Sequence, residues 1–344
     1  MGRLGMSSDE EDTDTYTKTA AHKKDDALFG VVRGTSTFVV MVGVALSSLM
    51  AGVTLGAFGK IVIYDMGFPL VLTLSVFRDG PAMQFVPRVQ NLSLTYNYSD
   101  PTLRKMTDTP SERNSKTWLQ DFGFSKVPGK ELTSGFFRMN AGNALDYTYT
   151  YEELKLIIDG EFHLTDGTGQ KVVAKKGDLM YFPKGTKMIF NTSSTGLGYF
   201  CGQRVGQDAV TTPDASTAAA IASNPAMVHI PQITSRAIAK MTDGASQMNS
   251  QTWLEDFGFS KVPGKDMTVG LFRMNAGQPL DYTYDYEELK LVLEGEFHLS
   301  DGTGQKVVAK AGDLIHFPNG THMTFDSPYT ALGYYCGQRK GGSG

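Results

Sequence analysis

The stretch LDYTYDYEELKLVLEGEFHL, residues 280–299, carries most of the architectural information in this chain. Side chains on a β-strand alternate faces with a period of two. Tyr282 and Tyr284 therefore share one face of a strand, and Glu288 and Lys290 share one face of the next. Residues 145–164 repeat the wording as LDYTYTYEELKLIIDGEFHL, which puts Tyr147, Tyr149, Glu153 and Lys155 in the same relation. On either side the repetition continues. KMTDTPSERNSKTWLQDFGFSKVPGK from Lys105 returns as KMTDGASQMNSQTWLEDFGFSKVPGK from Lys240, a shift of 240 − 105 = 135. Residues 105–204 align with 240–339 without a gap, with 71 identities in 100 positions. A weaker echo pairs PAMQFVP (Pro81–Pro87) with PAMVHIP (Pro225–Pro231). Units of this size are duplicated domains, too long for solenoid repeats. The expected domains are 81–204 and 225–340, joined by a small, polar linker at 205–224.

Each unit reads as mainly β. Alternating or β-branched and aromatic runs appear at ELTSGFFRMNAG, YEELKLIIDGEFHL, QKVVAKKGDLMYFP and MIFNTSSTGLGYFCGQR. Turn chemistry separates them at Asp159-Gly160, Asp166-Gly167, Lys176-Gly177-Asp178 and Pro183-Lys184-Gly185. Short strands at close spacing without amphipathic helices predict a jelly-roll barrel. The composition agrees, with 38 Gly and 35 Phe plus Tyr in 344 residues. The two cysteines, Cys201 and Cys336, are one position in two copies, so no disulfide forms within a domain and both read as small buried thiols. A net charge of −4 with scattered Lys and Arg excludes a nucleic-acid groove.

The N-terminal part differs. Residues 1–34, with SSDEEDTDTYT, read as a disordered acidic tail. Thr37 to Gly59 is 23 residues without a charge, which predicts a transmembrane helix within 35–64 and a single-pass membrane protein. Ser48, Gly52 and Gly56 form a small-residue stripe that would admit a partner helix. Residues 65–80 are an apolar connector. GKIVIYDMGFPLVLTLSVF (59–77) resembles the opening of triose-phosphate and nucleotide-sugar transporters. The other transporter helices have no counterpart, so no transport activity is implied.

Each repeated unit resembles the cupin superfamily. The first cupin motif runs Gly, five residues, His-x-His, three or four residues, Glu, six residues, Gly. Here Glu153 precedes Gly160 by that spacing, and Glu288 precedes Gly295. Tyr147 and Tyr149, and likewise Tyr282 and Tyr284, stand where the histidines belong. The second motif is met by Gly177-Asp178, Pro183 and Gly185, and by Gly312-Asp313, Pro318 and Gly320; its histidine position holds Met188 and Met323. One of four metal ligands therefore survives per unit. Three imidazoles and a carboxylate bind divalent transition metals at neutral pH, whereas a phenol of reference pKa about 10 must first lose its proton and a thioether is a poor partner for hard ions. The expectation is two barrels without a metal or other cofactor. His322 lies one residue from the ligand position, which turns it to the other face of its strand. His163 and His298 read as strand-surface residues.

The wording DYTYDYEELKLVLEGEFHL and AGDLIHFPNGTHMTF is similar to the EutQ-like ethanolamine-utilisation cupins, where aromatic and small residues likewise replace the histidines. The resemblance spans about 100 residues of each unit. It implies two tandem cupin barrels and, for activity, chemistry related to acetate or acyl phosphates. No Gly-rich phosphate loop precedes a helix, so a kinase is not expected from the motifs. With their faces turned inward, Tyr147, Tyr149, Glu153, Lys155 and Met188 line one barrel, and Tyr282, Tyr284, Glu288, Lys290 and Met323 the other. The expected function is a membrane-anchored, metal-free bicupin that holds a small polar ligand or serves as a scaffold. The alternative is an EutQ-like enzyme on small amines, carboxylates or acyl phosphates, with Glu153 and Glu288 as acid and base.

Overall fold

The structure is a computed structural model. It describes residues 81–87, 103–125, 127–129, 131–206, 214–260 and 262–341, and further upstream the backbone of five strands. The chain divides into two units, residues 1–76 and 77–344.

In the first unit Leu28–Val32 pairs antiparallel with Val39–Gly43, and Val53–Leu55, Lys60–Tyr64 and Pro69–Thr73 form a three-stranded antiparallel sheet. This departs from the expected helix over 37–59, whose described parts, Val39–Gly43 and Val53–Leu55, are strands. Val39, Val40, Val42, Val53 and Thr54 are β-branched, which favours extended backbone over helix. The rest of 37–59, with Ser48, Gly52 and Gly56, and most of the 1–34 tail lie outside the described residues. Among the described residues no helix is long and apolar enough to cross a membrane.

The second unit contains both barrels. In the first, the long strand Glu153–Asp166 runs through the whole jelly roll. Its first half pairs with Leu179–Phe182 and Thr195–Gly202, its second half with Lys171–Lys175 and Lys187–Asn191. The change of partners occurs at a bulge between Ile157 and Asp159, next to Gly160 at φ +66°. A Cβ on Gly160 would lie 2.1 Å from the Thr195 carbonyl oxygen, so only glycine allows this corner. The second barrel repeats the device at Gly295, φ +67°, where the strand divides into Glu288–Glu294 and Glu296–Asp301. The six-residue spacing from glutamate to glycine is thus the distance from the barrel interior to the corner.

The strand that leads each sequence unit hydrogen-bonds to the other unit's barrel. Gln84–Val86 pairs with Leu314–Phe317, and Val228–Ile230 pairs with Leu179–Phe182. Two matching anchors fix the exchange, since the Met83 amide donates to Asp301 and the Met227 amide to Asp166, each at 3.0 Å. Between the barrels one apolar core is shared, with Leu154, Leu179, Tyr199 and Cys201 from one and Leu289, Leu314, Tyr334 and Cys336 from the other. Tyr199 and Tyr334 meet edge to face at 5.8 Å. The bulge glycines Gly123 and Gly258 each receive leucines of the opposite barrel, Leu289 with Leu314 and Leu154 with Leu179. Both cysteines are free and buried.

The segment 205–224 is not wholly irregular. Ala215–Ser223 is a helix, capped by the Asp214 side chain on the Thr217 amide and ended by Asn224 in the left-handed region.

Candidate functional site

The strand Leu145–Thr148 pairs with Lys187–Asn191, which sets Tyr147 opposite Met188. Tyr149 follows directly, its amide bonded to the Thr186 carbonyl at 2.9 Å. Glu153 and Lys155 open the next strand, opposite Gly202 and Phe200. Period-two alternation then turns Glu153 and Lys155 to the same, interior face, where they are only 2% and 3% exposed.

These groups form one hydrogen-bonded unit. The Tyr149 hydroxyl donates to Glu153 Oε1 at 3.0 Å and the Tyr151 hydroxyl to Oε2 at 3.3 Å. Lys155 Nζ is 3.0 Å from Glu153 Oε1 and 4.3 Å from the centre of the Phe137 ring. Tyr147 joins through Tyr151, hydroxyl to hydroxyl at 3.1 Å. The second barrel repeats the set. Tyr284 and Tyr286 donate to the two oxygens of Glu288 at 3.0 and 3.3 Å, and Lys290 Nζ stands 2.8 Å from Oε1. Behind each set an arginine forks onto an aspartate, Arg204 on Asp121 and Arg339 on Asp256. A buried carboxylate with an ammonium and two phenol donors has its charge compensated, which is the condition for keeping it inside.

Burial dominates the proton affinities. It pulls the Lys155 and Lys290 ammonium groups below their ordinary value, while the adjacent glutamate pulls the other way. It pushes the Tyr149 and Tyr284 phenols well above theirs, reinforced by the same glutamates, and Tyr147 up to about 12. The phenols therefore stay protonated at neutral pH and act as donors.

The expected residues Tyr147, Tyr149, Glu153 and Lys155 come together, as do Tyr282, Tyr284, Glu288 and Lys290. Met188 and Met323 are buried on the apolar side of each barrel core. Sequence reasoning missed Tyr151 and Tyr286, although the Y-x-Y-x-Y alternation contains them. It also missed the Arg–Asp pairs, whose partners lie 83 residues apart in both copies. His322 reaches Thr283 at 2.9 Å on the exposed side, and His163 and His298 pair with Glu161 and Glu296 at the surface.

The residues present do not fit the divalent metal of a cupin. The surviving carboxylate is engaged by an ammonium, a positive charge that opposes a second cation. The phenols hold their protons and the thioether is soft. Among the described residues no cluster of three or more His, Cys, Asp or Glu is placed to hold an ion.

A cavity in the second barrel opens onto Tyr282, Tyr284, Tyr286, Glu288 and Lys290, with Phe272, Phe325, Met241, Leu254 and Leu280 as its apolar wall. The space open to the centre of a water-sized sphere is about 20 Å³, where one water needs ~10–15 Å³.

The family profile described as "Ethanolamine utilisation protein EutQ" matches residues 104–200 and again 206–337, once per barrel. The chain belongs to the EutQ family. This EutQ-family chain is 35% identical over 68 residues to the acetate kinase EutQ of Escherichia coli (strain K12), covering 20% of this chain and 28% of that protein. The acetate kinase EutQ of Salmonella typhimurium (strain LT2) is 32% identical over 68 residues, with the same coverage. The chain thus spans about a quarter of the length of the curated relatives it matches. Among solved structures, a glyoxylate-induced protein from Pseudomonas aeruginosa superposes with a TM-score of 0.53 at 14% identity, over 78% of this chain and 92% of that one. At that identity the likeness shows the fold alone. The EutQ-family chain is a bicupin, two tandem jelly-roll barrels in one compact unit.

Proposed function

We propose that this bicupin binds a small polar molecule inside a barrel, through phenol, carboxylate and ammonium groups and without a metal ion. The cavity that opens onto Tyr282, Tyr284, Glu288 and Lys290 carries this reading. Glu288 and Lys290 neutralise each other, and the hydroxyls around them supply directed hydrogen bonds. The test is a thermal-shift panel of small carboxylates, amines, phosphates and neutral carbonyl compounds on the full chain, with metal analysis of the purified protein. A hit that raises Tm and is lost in Glu288→Gln, with the circular dichroism unchanged, supports the reading. A panel without any hit, a hit indifferent to Glu288→Gln, or a stoichiometric transition metal overturns it.

The second reading is an enzyme on small amines, carboxylates or acyl phosphates, with Glu153 and Glu288 as acid and base. It is favoured by a buried lysine with lowered proton affinity beside a carboxylate, a pair able to exchange a proton. The curated relatives bear the name acetate kinase, which is a statement about those proteins. Turnover of acetate with ATP, measured for the full chain and for Glu153→Gln and Glu288→Gln, tests it. Membrane attachment rests on the uncharged run at 37–59, and its test is carbonate-resistant pelleting that requires those residues.

A further inference from the structure

The two barrels share their interior but differ at the rim. In the first, the helix α1, Pro110–Asn114, closes with a complete capping box: the Glu112 amide donates to Thr109 Oγ1 at 3.2 Å, and the Thr109 amide donates to Glu112 Oε2 at 3.0 Å. The Asp108 amide adds a further bond to Glu112 at 2.7 Å, and Arg113 holds the Thr107 carbonyl at 2.9 Å. The corresponding helix of the second barrel, Ala245–Asn249, starts at Gly244 with no side-chain cap. There Gln247 replaces Glu112 and keeps one bond, to the Asp243 amide at 3.1 Å. Met248 replaces Arg113 and is 57% exposed. Each helix rests on the tyrosine-bearing strand, through Ser111 on the Asp146 amide and Ser246 on the Asp281 amide, both at 2.7 Å. Loosening the helix therefore loosens the rim over Tyr147 or Tyr282. Inside the barrels the tyrosine pairs differ in the same sense. Tyr147 and Tyr151 stand 3.1 Å apart, Tyr282 and Tyr286 3.4 Å, and the cavity that opens at Met241 and Tyr282 is in the second barrel.

The interior also defines the ligand. Lys155 makes a second contact to the Tyr149 hydroxyl at 3.4 Å, whereas among the described residues the polar contact of Lys290 is to Glu288, and its ammonium otherwise faces aromatic rings. The N–H groups on that side are donors in search of an acceptor. Glu288 and Lys290 already cancel in charge, and Asp256 cancels Arg339. A charged ligand would bring an unpaired ion into a ring-lined space, at high cost. A neutral carbonyl oxygen matches the donors, with a short aliphatic body against Met241, Leu254 and Leu280.

We propose that the second barrel is the ligand site of this chain and the first a closed structural plug, the ligand being a small neutral carbonyl compound that accepts hydrogen bonds from Lys290 Nζ. This rests on the ligand-binding reading above and narrows it to one barrel and one chemical class.

Limiting propionaldehyde with cyanoborohydride, added to the full chain at neutral pH, tests it. Lys290 gives its ammonium proton to Glu288 and its free amine adds to the carbonyl carbon. The carbinolamine takes that proton back, expels water, and the iminium carbon receives hydride from the reagent, leaving N-propyl-lysine. Peptide mapping distinguishes Lys290 in YDYEELKLVLE from Lys155 in YTYEELKLIID within the same molecules. Lys290 is expected to label at least roughly fivefold more than Lys155, the factor set by the loss of one helix cap. Gly244→Thr with Gln247→Glu rebuilds the box, the added Cβ at Gly244 meeting nothing within 4 Å, and lowers Lys290 labelling by a similar factor. Thr109→Gly with Glu112→Gln opens the first barrel and raises Lys155 labelling. Equal labelling of both lysines overturns the division while leaving the thermal-shift result standing. Labelling of neither, while exposed Lys310 reacts, overturns the carbonyl class, as does a preference for Lys155.

Discussion

Raising the pH beyond the ordinary phenol range is expected to unfold the barrel unit abruptly. Nine tyrosines, Tyr147, Tyr149, Tyr151, Tyr199, Tyr282, Tyr284, Tyr286, Tyr334 and Tyr335, hold their protons above the ordinary value, in each case chiefly because burial disfavours the phenolate. In the unfolded chain they ionise near pH 10. Above that pH the unfolded state binds fewer protons than the folded one, so stability falls as pH rises. Each phenol that keeps its proton contributes at most about 1.4 kcal/mol per pH unit, so the group together contributes on the order of 10 kcal/mol per unit. Tyr147 drops out above about 12, where its folded form also ionises. Lys155 and Lys290 act with the opposite sign: their folded affinity is lowered, so their unfavourable contribution is relieved as pH climbs toward about 10.4 and then levels off. Lys105, whose affinity burial also lowers, acts the same way, and three groups acting below that pH cannot offset the phenols acting above it. A domain with ~5–15 kcal/mol of stability then unfolds within about one pH unit. Phenolate absorbance and far-ultraviolet circular dichroism, followed together, should change in one coincident transition above pH 10. A gradual phenolate signal with the dichroism intact would show that the tyrosines are open to water and refute the closed-barrel electrostatics.

Lys290→Met leaves Glu288 buried without its counter-ion and should cost about 3–5 kcal/mol in urea melts, whereas Lys290→Met with Glu288→Leu removes both charges and should recover most of it; a single variant within 1 kcal/mol of the parent contradicts the pairing. Gly295→Ala combines φ +67° with a Cβ 1.9 Å from the Thr330 carbonyl oxygen, and should lower stability by more than about 2 kcal/mol. Gly264→Ala, at φ +74° with open space around it, should cost only about 1 kcal/mol; equal losses would show that the corner is not crowded. Asp301→Ala removes the acceptor of the Met83 amide, 218 residues away in sequence, and should speed amide exchange at Gln84–Val86 while Val228–Ile230 stays protected. Unchanged exchange there would dismiss the anchoring role of Asp301.

The barrels were legible because their signals are local and doubled. Alternation in residues 145–164 and 280–299, with six residues between each glutamate and the following glycine, gave the strands, the corner and four residues of each site. Tyr151 and Tyr286 were equally visible in the alternation, but the cupin motif supplied a position for only two tyrosines. The Arg204–Asp121 and Arg339–Asp256 pairs had no local signal, since what joins them is tertiary pairing. The helix Ala215–Ser223 was readable from Asp214 as cap, an alanine run and Asn224 as stop, and small-residue composition masked it. For residues 37–59 an uncharged run satisfied the length for a bilayer helix, yet length does not distinguish helix from strand where valines cluster. The exchange of the leading strands could not be read at all, because PAMQFVP fits either barrel of a duplicated pair.

That ambiguity bears on how two near-identical domains can diverge. The exchanged strands and the shared core, from Gly123 on Leu289 to Gly258 on Leu154, bind each barrel to its twin. A change there must suit both barrels, because each contact is made twice about the internal symmetry. The rim helices carry no such constraint: Pro110 and Ala245, Glu112 and Gln247, Arg113 and Met248 differ, while the tyrosine, glutamate and lysine positions behind them are the same. Under the duplicated interior, divergence at the rim is the physically cheapest route to two barrels with different accessibility. On the proposal above, the first barrel stiffens the common core, while the cavity of the second leads a small molecule to groups that are themselves buried.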